Sequence, residues 1–73
     1  MINTIKKGDW FKFNGWTFKV YECSPDSTMV YMHQMICENG DYIEGELYQF
    51  SIAFINLYMI HFKLYWEEKT NDT

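Results

Sequence analysis

Two Asn-Gly dipeptides constrain this chain more than any other feature. At the first, Asn14-Gly15 is flanked by Trp10-Phe11-Lys12-Phe13 and by Trp16-Thr17-Phe18-Lys19-Val20-Tyr21. A two-residue type I′ turn needs φ > 0 at both central positions, which Asn and Gly tolerate, and aromatic or β-branched runs on either side favour strands. The register follows: Phe13 faces Trp16, Lys12 faces Thr17, Phe11 faces Phe18 and Trp10 faces Lys19. The period-2 rule then sorts the side chains. Phe11, Phe13, Trp16, Phe18 and Val20 share the face expected to be core. Trp10, Lys12, Thr17, Lys19 and Tyr21 share the face expected to meet solvent or a partner.

The rest of the chain reads in the same manner. Ser24-Pro25-Asp26-Ser27-Thr28 is a turn, because Pro presets φ and Asp and Ser bond locally. Met29 to Ile36 is a third strand, with Val30, Met32 and Ile36 alternating against Tyr31, His33 and Met35. The second Asn-Gly, in Glu38-Asn39-Gly40-Asp41, closes another hairpin. Tyr42 to Phe50 reads as a fourth strand, weakened by Gly45, which signals a bulge. Residues 43–61 also carry a helical stripe (Ile43, Leu47, Phe50, Phe54, Leu57, His61), and Asp41 with Glu44 resembles a capping box. Gly45 in the first turn and the wealth of Tyr, Phe and Ile oppose a helix there. The expectation is a short helical turn around Ser51–Asn56 and a final strand from about Leu57 to Trp66. In that strand Tyr58, Ile60, Phe62, Leu64 and Trp66 alternate against Met59, His61, Lys63, Tyr65 and Glu67. Residues 1–66 form one domain, and residues 67–73 a frayed polar tail.

Five short strands with a helical turn before the last predict a mainly β fold. Lys7-Gly8-Asp9, the Asn14-Gly15 hairpin and the stretch Tyr48-Gln49-Phe50-Ser51-Ile52-Ala53-Phe54-Ile55 together resemble an SH3-like barrel. They are similar to small proteins of phages and low-GC bacteria. That resemblance implies a small five-stranded barrel, a binding role and no catalytic residues. The alternative is an α+β fold, should the fourth-strand region be a helix.

A chain of 73 residues buries only about 60% of its unfolded surface, so its core is thin. Small domains compensate with disulfides, metals or oligomerisation. Cys23 and Cys37 are the only cysteines, and the start of the chain has no apolar run of the signal-peptide kind. Two free thiols in a reducing cytoplasm are expected, that of a bacterial host if the gene is viral. No apolar run approaches the roughly 20 residues a membrane span needs. Oligomerisation is left as the staple, since six Phe, six Tyr and three Trp exceed what a thin core hides.

Charge is divided along the chain. Residues 1–20 hold four lysines against Asp9, a balance of +3, and residues 21–73 hold two lysines against nine carboxylates, a balance of −7. Arginine is absent. That absence, with a net charge of −4, argues against nucleic acid, where Arg makes the bidentate contacts.

Four residues have the chemistry of zinc ligands: Cys23, His33, Cys37 and His61. Their spacings of ten, four and twenty-four lack the close pairs of structural sites. On a strand, His33 and Cys37 would lie about 13 Å apart. No metal or other cofactor is expected. A Cys–His nucleophile would need a base, an oxyanion hole and a pocket, for which so short a chain has little room. Paired carboxylates occur at Glu44 and Glu46, expected on one strand face about 7 Å apart, and at Glu67 and Glu68. The bland reading is a solvated edge that blocks aggregation.

The expectation is therefore a small non-catalytic interaction module, and the resemblance to small phage proteins implies, more specifically, a phage-encoded inhibitor or modulator of a host or defence protein. Its contact residues would be Trp10, Lys12, Lys19, Tyr21 and Tyr31, an aromatic–lysine face suited to a partner protein. A second copy of the chain is the other protein partner considered. A homo-oligomer that sequesters a small molecule such as a nucleotide is the second reading, and a nucleic-acid-binding barrel the third. The acidic stretch Glu38, Asp41, Glu44 and Glu46 is a further candidate, a phosphate mimic for a basic groove.

Overall fold

The computed structural model describes residues 4–63. Strands β1 (Trp10–Phe13), β2 (Trp16–Cys23), β3 (Met29–Glu38) and β4 (Asp41–Ser51) follow one another as an antiparallel meander. Helix α1 (Ile52–Tyr58) then crosses the sheet, and β5 (Ile60–Phe62) returns to pair with β1. The sheet order is β4-β3-β2-β1-β5.

Both Asn-Gly turns have the conformation their residues favour. Asn14 and Gly15 have φ of 54° and 82°, and Asn39 and Gly40 have 54° and 85°. The first hairpin takes the register that a two-residue loop dictates, Trp10↔Lys19 through Phe13↔Trp16. In the β2–β3 turn, Asp26 Oδ1 accepts from Ser24 Oγ at 2.7 Å, from Thr28 Oγ1 at 2.8 Å and from Thr28 N at 3.1 Å.

Two irregularities bend the sheet. Tyr21 is the extra residue where β2 slips against β3, between Val20↔Met32 and Glu22↔Tyr31. On β4 the slip lies between Leu47, opposite His33, and Glu44, opposite Met35. Gly45 sits in that bulge because nothing larger fits: a Cβ there would lie 2.9 Å from the Gln34 carbonyl oxygen and 3.2 Å from Ile36 Cδ1. Bulges increase local twist.

The core forms on both faces of the sheet. On one face, Phe11, Phe18, Val20, Val30 and Met32 pack beneath Ile55 and Met59 from α1 and its C-terminal end. Ser51 caps α1, its Oγ accepting from Phe54 N at 3.1 Å. On the opposite face, Trp10 and Met35 are buried with Tyr42 and Phe62 against them.

The expected SH3-like barrel is not formed. β4 and β5 are the two edges of an open sheet, with no pairing between them. The physical reason lies in α1, whose Ile55 and Met59 close the core from above where strand–strand closure would otherwise do so. With the barrel goes the resemblance to SH3-like proteins of phages and low-GC bacteria that rested on it. The α+β alternative is corrected too. Residues 41–51 are strand, and the helix begins only at Ile52, so the stripe from Ile43 to His61 is no helical face. The last strand is shorter than expected, because Leu57 and Tyr58 extend the helix and pairing starts at Ile60. Leu64–Trp66 and the expected tail of residues 67–73 lie outside the described residues.

Candidate functional site

Of the aromatic–lysine face expected to meet a partner, Trp10 is turned into the protein, whereas Lys12 and Tyr21 are exposed and Lys19 and Tyr31 half-buried. Trp10 is only 4% exposed. Its ring meets Tyr42 edge to face at 5.0 Å and Phe62 at 6.0 Å. Lys19 lays its Nζ 5.5 Å over the Trp10 ring, and Lys12 its Nζ 5.0 Å over Phe62. These cations therefore shield aromatic surface of this chain, in the manner of cation–π pairs. Tyr21 is exposed, its ring 5.3 Å from that of His33. Tyr31 lies half-buried farther along the sheet, between Glu22 and Gln49.

The acidic residues Glu38, Asp41, Glu44 and Glu46 are all exposed along the β3–β4 hairpin. The bulge breaks the simple alternation expected of Glu44 and Glu46, since Glu44 and Leu47 now share a face although three residues apart. Glu44 instead joins Lys7, Lys19, Tyr21 and His33 around a depression of about 290 Å³. A carboxylate beside two lysines makes this depression a mixed-charge surface.

Three of the four residues with zinc-ligand chemistry go to different partners. Cys23 Sγ lies 3.5 Å from the Ile5 carbonyl oxygen, and His33 Nδ1 lies 3.2 Å from that of Gly45. His61 Nε2 is 3.8 Å from Asp9 Oδ1. Both thiols are free; Cys37 is exposed and Cys23 half-buried. Burial, with the Glu22 and Asp9 carboxylates adding to it, pushes the Cys23 thiol up. Among the described residues no three His, Cys, Asp or Glu side chains converge. Glu67 and Glu68 lie outside the described residues.

The surface that stands out includes Phe13, Trp16 and Phe18, whose alternation puts them on the expected core face. At the Asn14-Gly15 end of the sheet, Phe13, Trp16, Phe18, Tyr48 and Phe50 wall a groove of about 240 Å³ together with Asn14. Trp16 is 43% exposed. Its ring stacks near Phe18 at 6.2 Å and meets Tyr48 edge to face at 6.1 Å. The ring contacts continue from Tyr48 to Phe50 at 6.3 Å, to Phe54 at 5.6 Å and to Tyr58 at 4.9 Å. An aromatic row thus runs from the hairpin tip to the end of α1. Among the described residues no charged side chain lines the groove.

The groove exists because α1 is short. Its seven residues span about 10 Å at 1.5 Å per residue. Ile55 and Met59 pack with Phe11, Val20, Val30 and Met32, and Phe54 reaches Phe13 at 5.2 Å, while Trp16 stays half-exposed. The sequence signal for this was the position of Trp16 beside the turn, at the end of the hairpin.

Comparison with protein-family models, curated proteins and solved structures gives no significant match. The residues themselves therefore carry the functional argument. Among the described residues no helix is long and apolar enough to cross a membrane.

Proposed function

We propose that this chain works by binding another protein, and that the aromatic groove of Phe13, Trp16, Phe18, Tyr48 and Phe50 is its contact surface. The observation that carries the reading is the half-exposed Trp16 beside an uncharged groove walled by rings. Desolvated Trp and Tyr anchors dominate binding energy at protein interfaces, and rings already held by their neighbours lose little freedom on binding. The partner surface that fits is an apolar segment without charges at its centre. The narrower inhibitor role drew its support from the barrel resemblance, which the open sheet removes.

The test is affinity capture with three forms of the protein: wild type, Trp16→Ala, and Lys12→Ala with Lys19→Ala. The expected result is a partner held by the wild type and by the lysine variant, and released at least about tenfold more readily by Trp16→Ala. Circular dichroism confirms that each variant is folded. Retention by Trp16→Ala with loss in the lysine variant would return the contact to the opposite face.

A second reading has its own observation. The depression bounded by Lys7, Lys19, Tyr21, His33 and Glu44 offers an aromatic ring, cations and a carboxylate to a small polar ligand. Native mass spectrometry of gently purified protein tests it, since a discrete extra mass on the chain supports a bound small molecule. A bare chain favours the protein-binding reading.

A further inference from the structure

Strand β4 has 11 residues, and among the described residues it pairs only with β3. Its two halves differ in protection. The first half carries Asp41, Glu44, Glu46 and the bulge, all features that discourage pairing at an edge. The second half, Leu47-Tyr48-Gln49-Phe50, is uncharged, regular in its register with β3 and rich in strand-favouring residues.

The backbone of that second half has a definite direction. Ile52 N donates to the Thr28 carbonyl at 3.0 Å. In the register Val30↔Phe50 and Met32↔Tyr48, that bond makes Phe50 and Tyr48 the residues bonded to β3. Leu47 and Gln49 therefore turn their N–H and C=O groups to the outer edge.

We propose that this edge pairs with the same edge of a second copy of the chain, antiparallel about a two-fold axis at Tyr48. Leu47 then exchanges both backbone hydrogen bonds with Gln49 of the second copy, and the symmetric pair forms on the other side of the axis. The two Tyr48 residues form the non-hydrogen-bonded pair between them. Other centres fit less well. An axis at Gln49 needs Ser51, whose carbonyl belongs to the first turn of α1. An axis at Leu47 needs Gly45 in the bulge, whose carbonyl oxygen faces the His33 ring. An axis at Gly45 sets Glu44 against Glu46 of the second copy, like charge against like. With the axis at Tyr48, Glu46 lies opposite Phe50 and no carboxylates oppose one another. The edge borders the aromatic groove through Tyr48 and Phe50.

Sedimentation equilibrium from about 10 μM to about 1 mM, a range that brackets weak self-association, tests the proposal. Both Leu47 and Gln49 are exposed, so their side chains can be exchanged without touching the core. The wild type is expected to dimerise. The double substitution Leu47→Lys with Gln49→Lys places lysines opposite one another twice and raises the dimer dissociation constant about tenfold. Leu47→Lys with Gln49→Glu places opposite charges there and restores the dimer. A wild type that stays monomeric throughout, or a dimer unmoved by the lysine pair, overturns the proposal. So does failure of the Lys/Glu variant to recover association while circular dichroism shows it folded.

Discussion

Trp10 and Tyr42 meet edge to face with 5.0 Å between their ring centroids, although β2 and β3 lie between their strands. Three strand spacings of a flat sheet would put them about 14 Å apart. Curl of the sheet and the reach of the two long side chains together close that gap, and the contact turns a hairpin surface into a second core.

That second core predicts a large loss on truncation. Trp10→Ala should destabilise the fold by about 3–5 kcal/mol, as for other buried large aromatics. Trp10→Phe should cost markedly less, because the buried Trp10 Nε1 has no hydrogen-bond partner among the described residues and its removal relieves an unpaired donor. Urea denaturation of the two variants checks the order. A Trp10→Ala protein as stable as the wild type would show that the tryptophan is not packed as described.

At Gly45 a methyl group has no room between the Gln34 carbonyl and Ile36. Gly45→Ala should destabilise by about 1–3 kcal/mol, the cost of overpacking a filled site. The amide crosspeaks of Gln34 and Ile36 should shift with it, since the nearer clash is with backbone. Thermal unfolding and a two-dimensional NMR comparison measure both effects.

Asp26 governs a pH response of the β2–β3 turn. The Ser24 hydroxyl, then the Thr28 hydroxyl and the Thr28 N–H, hold its carboxyl below the ordinary value of 3.8. A carboxyl lowered on folding contributes stability that is complete above its unfolded value and is lost as pH falls through the folded one. The turn should therefore loosen only in acid, and Asp26→Asn should flatten that part of the profile. Denaturation midpoints between about pH 2 and pH 6 follow the expected window.

The two thiols should separate cleanly by reactivity. Cys37 is exposed, whereas Cys23 is half-buried with its thiol pushed up by burial and by the neighbouring Glu22 and Asp9. Because the thiolate is the nucleophile, iodoacetamide near pH 8 should label Cys37 well before Cys23. Peptide mass spectrometry over time reads the order directly, and equal rates would mean that Cys23 is reached by solvent.

Local chemistry was legible in the sequence, and long-range closure was not. The Asn14-Gly15 and Asn39-Gly40 turns announce themselves because their φ values suit those residues, and a two-residue loop then imposes its register. Gly45 marked its bulge for a similarly local reason. The barrel expectation failed because closure depends on how far α1 carries the chain over the sheet, which no single turn encodes. Trp10 was placed on the solvent face by alternation, a rule that knows nothing of curl. Trp16 was placed in the core by the same rule, although the helix stops short of it. The groove at Trp16 was thus hidden by a correct alternation applied beyond the reach of its cover.

The meander leaves one pairing that is not local. β1 through β4 join through successive turns, but β5 must find β1 across roughly fifty residues, which costs about 3 kcal/mol more in closure entropy than a two-residue loop. Only three residues on each side repay it. β5 is therefore the element expected to dock last in folding and to open first in native fluctuations, taking with it Phe62 and one wall of the Trp10 cluster. Amide hydrogens along β5 should exchange faster than those of β2 and β3.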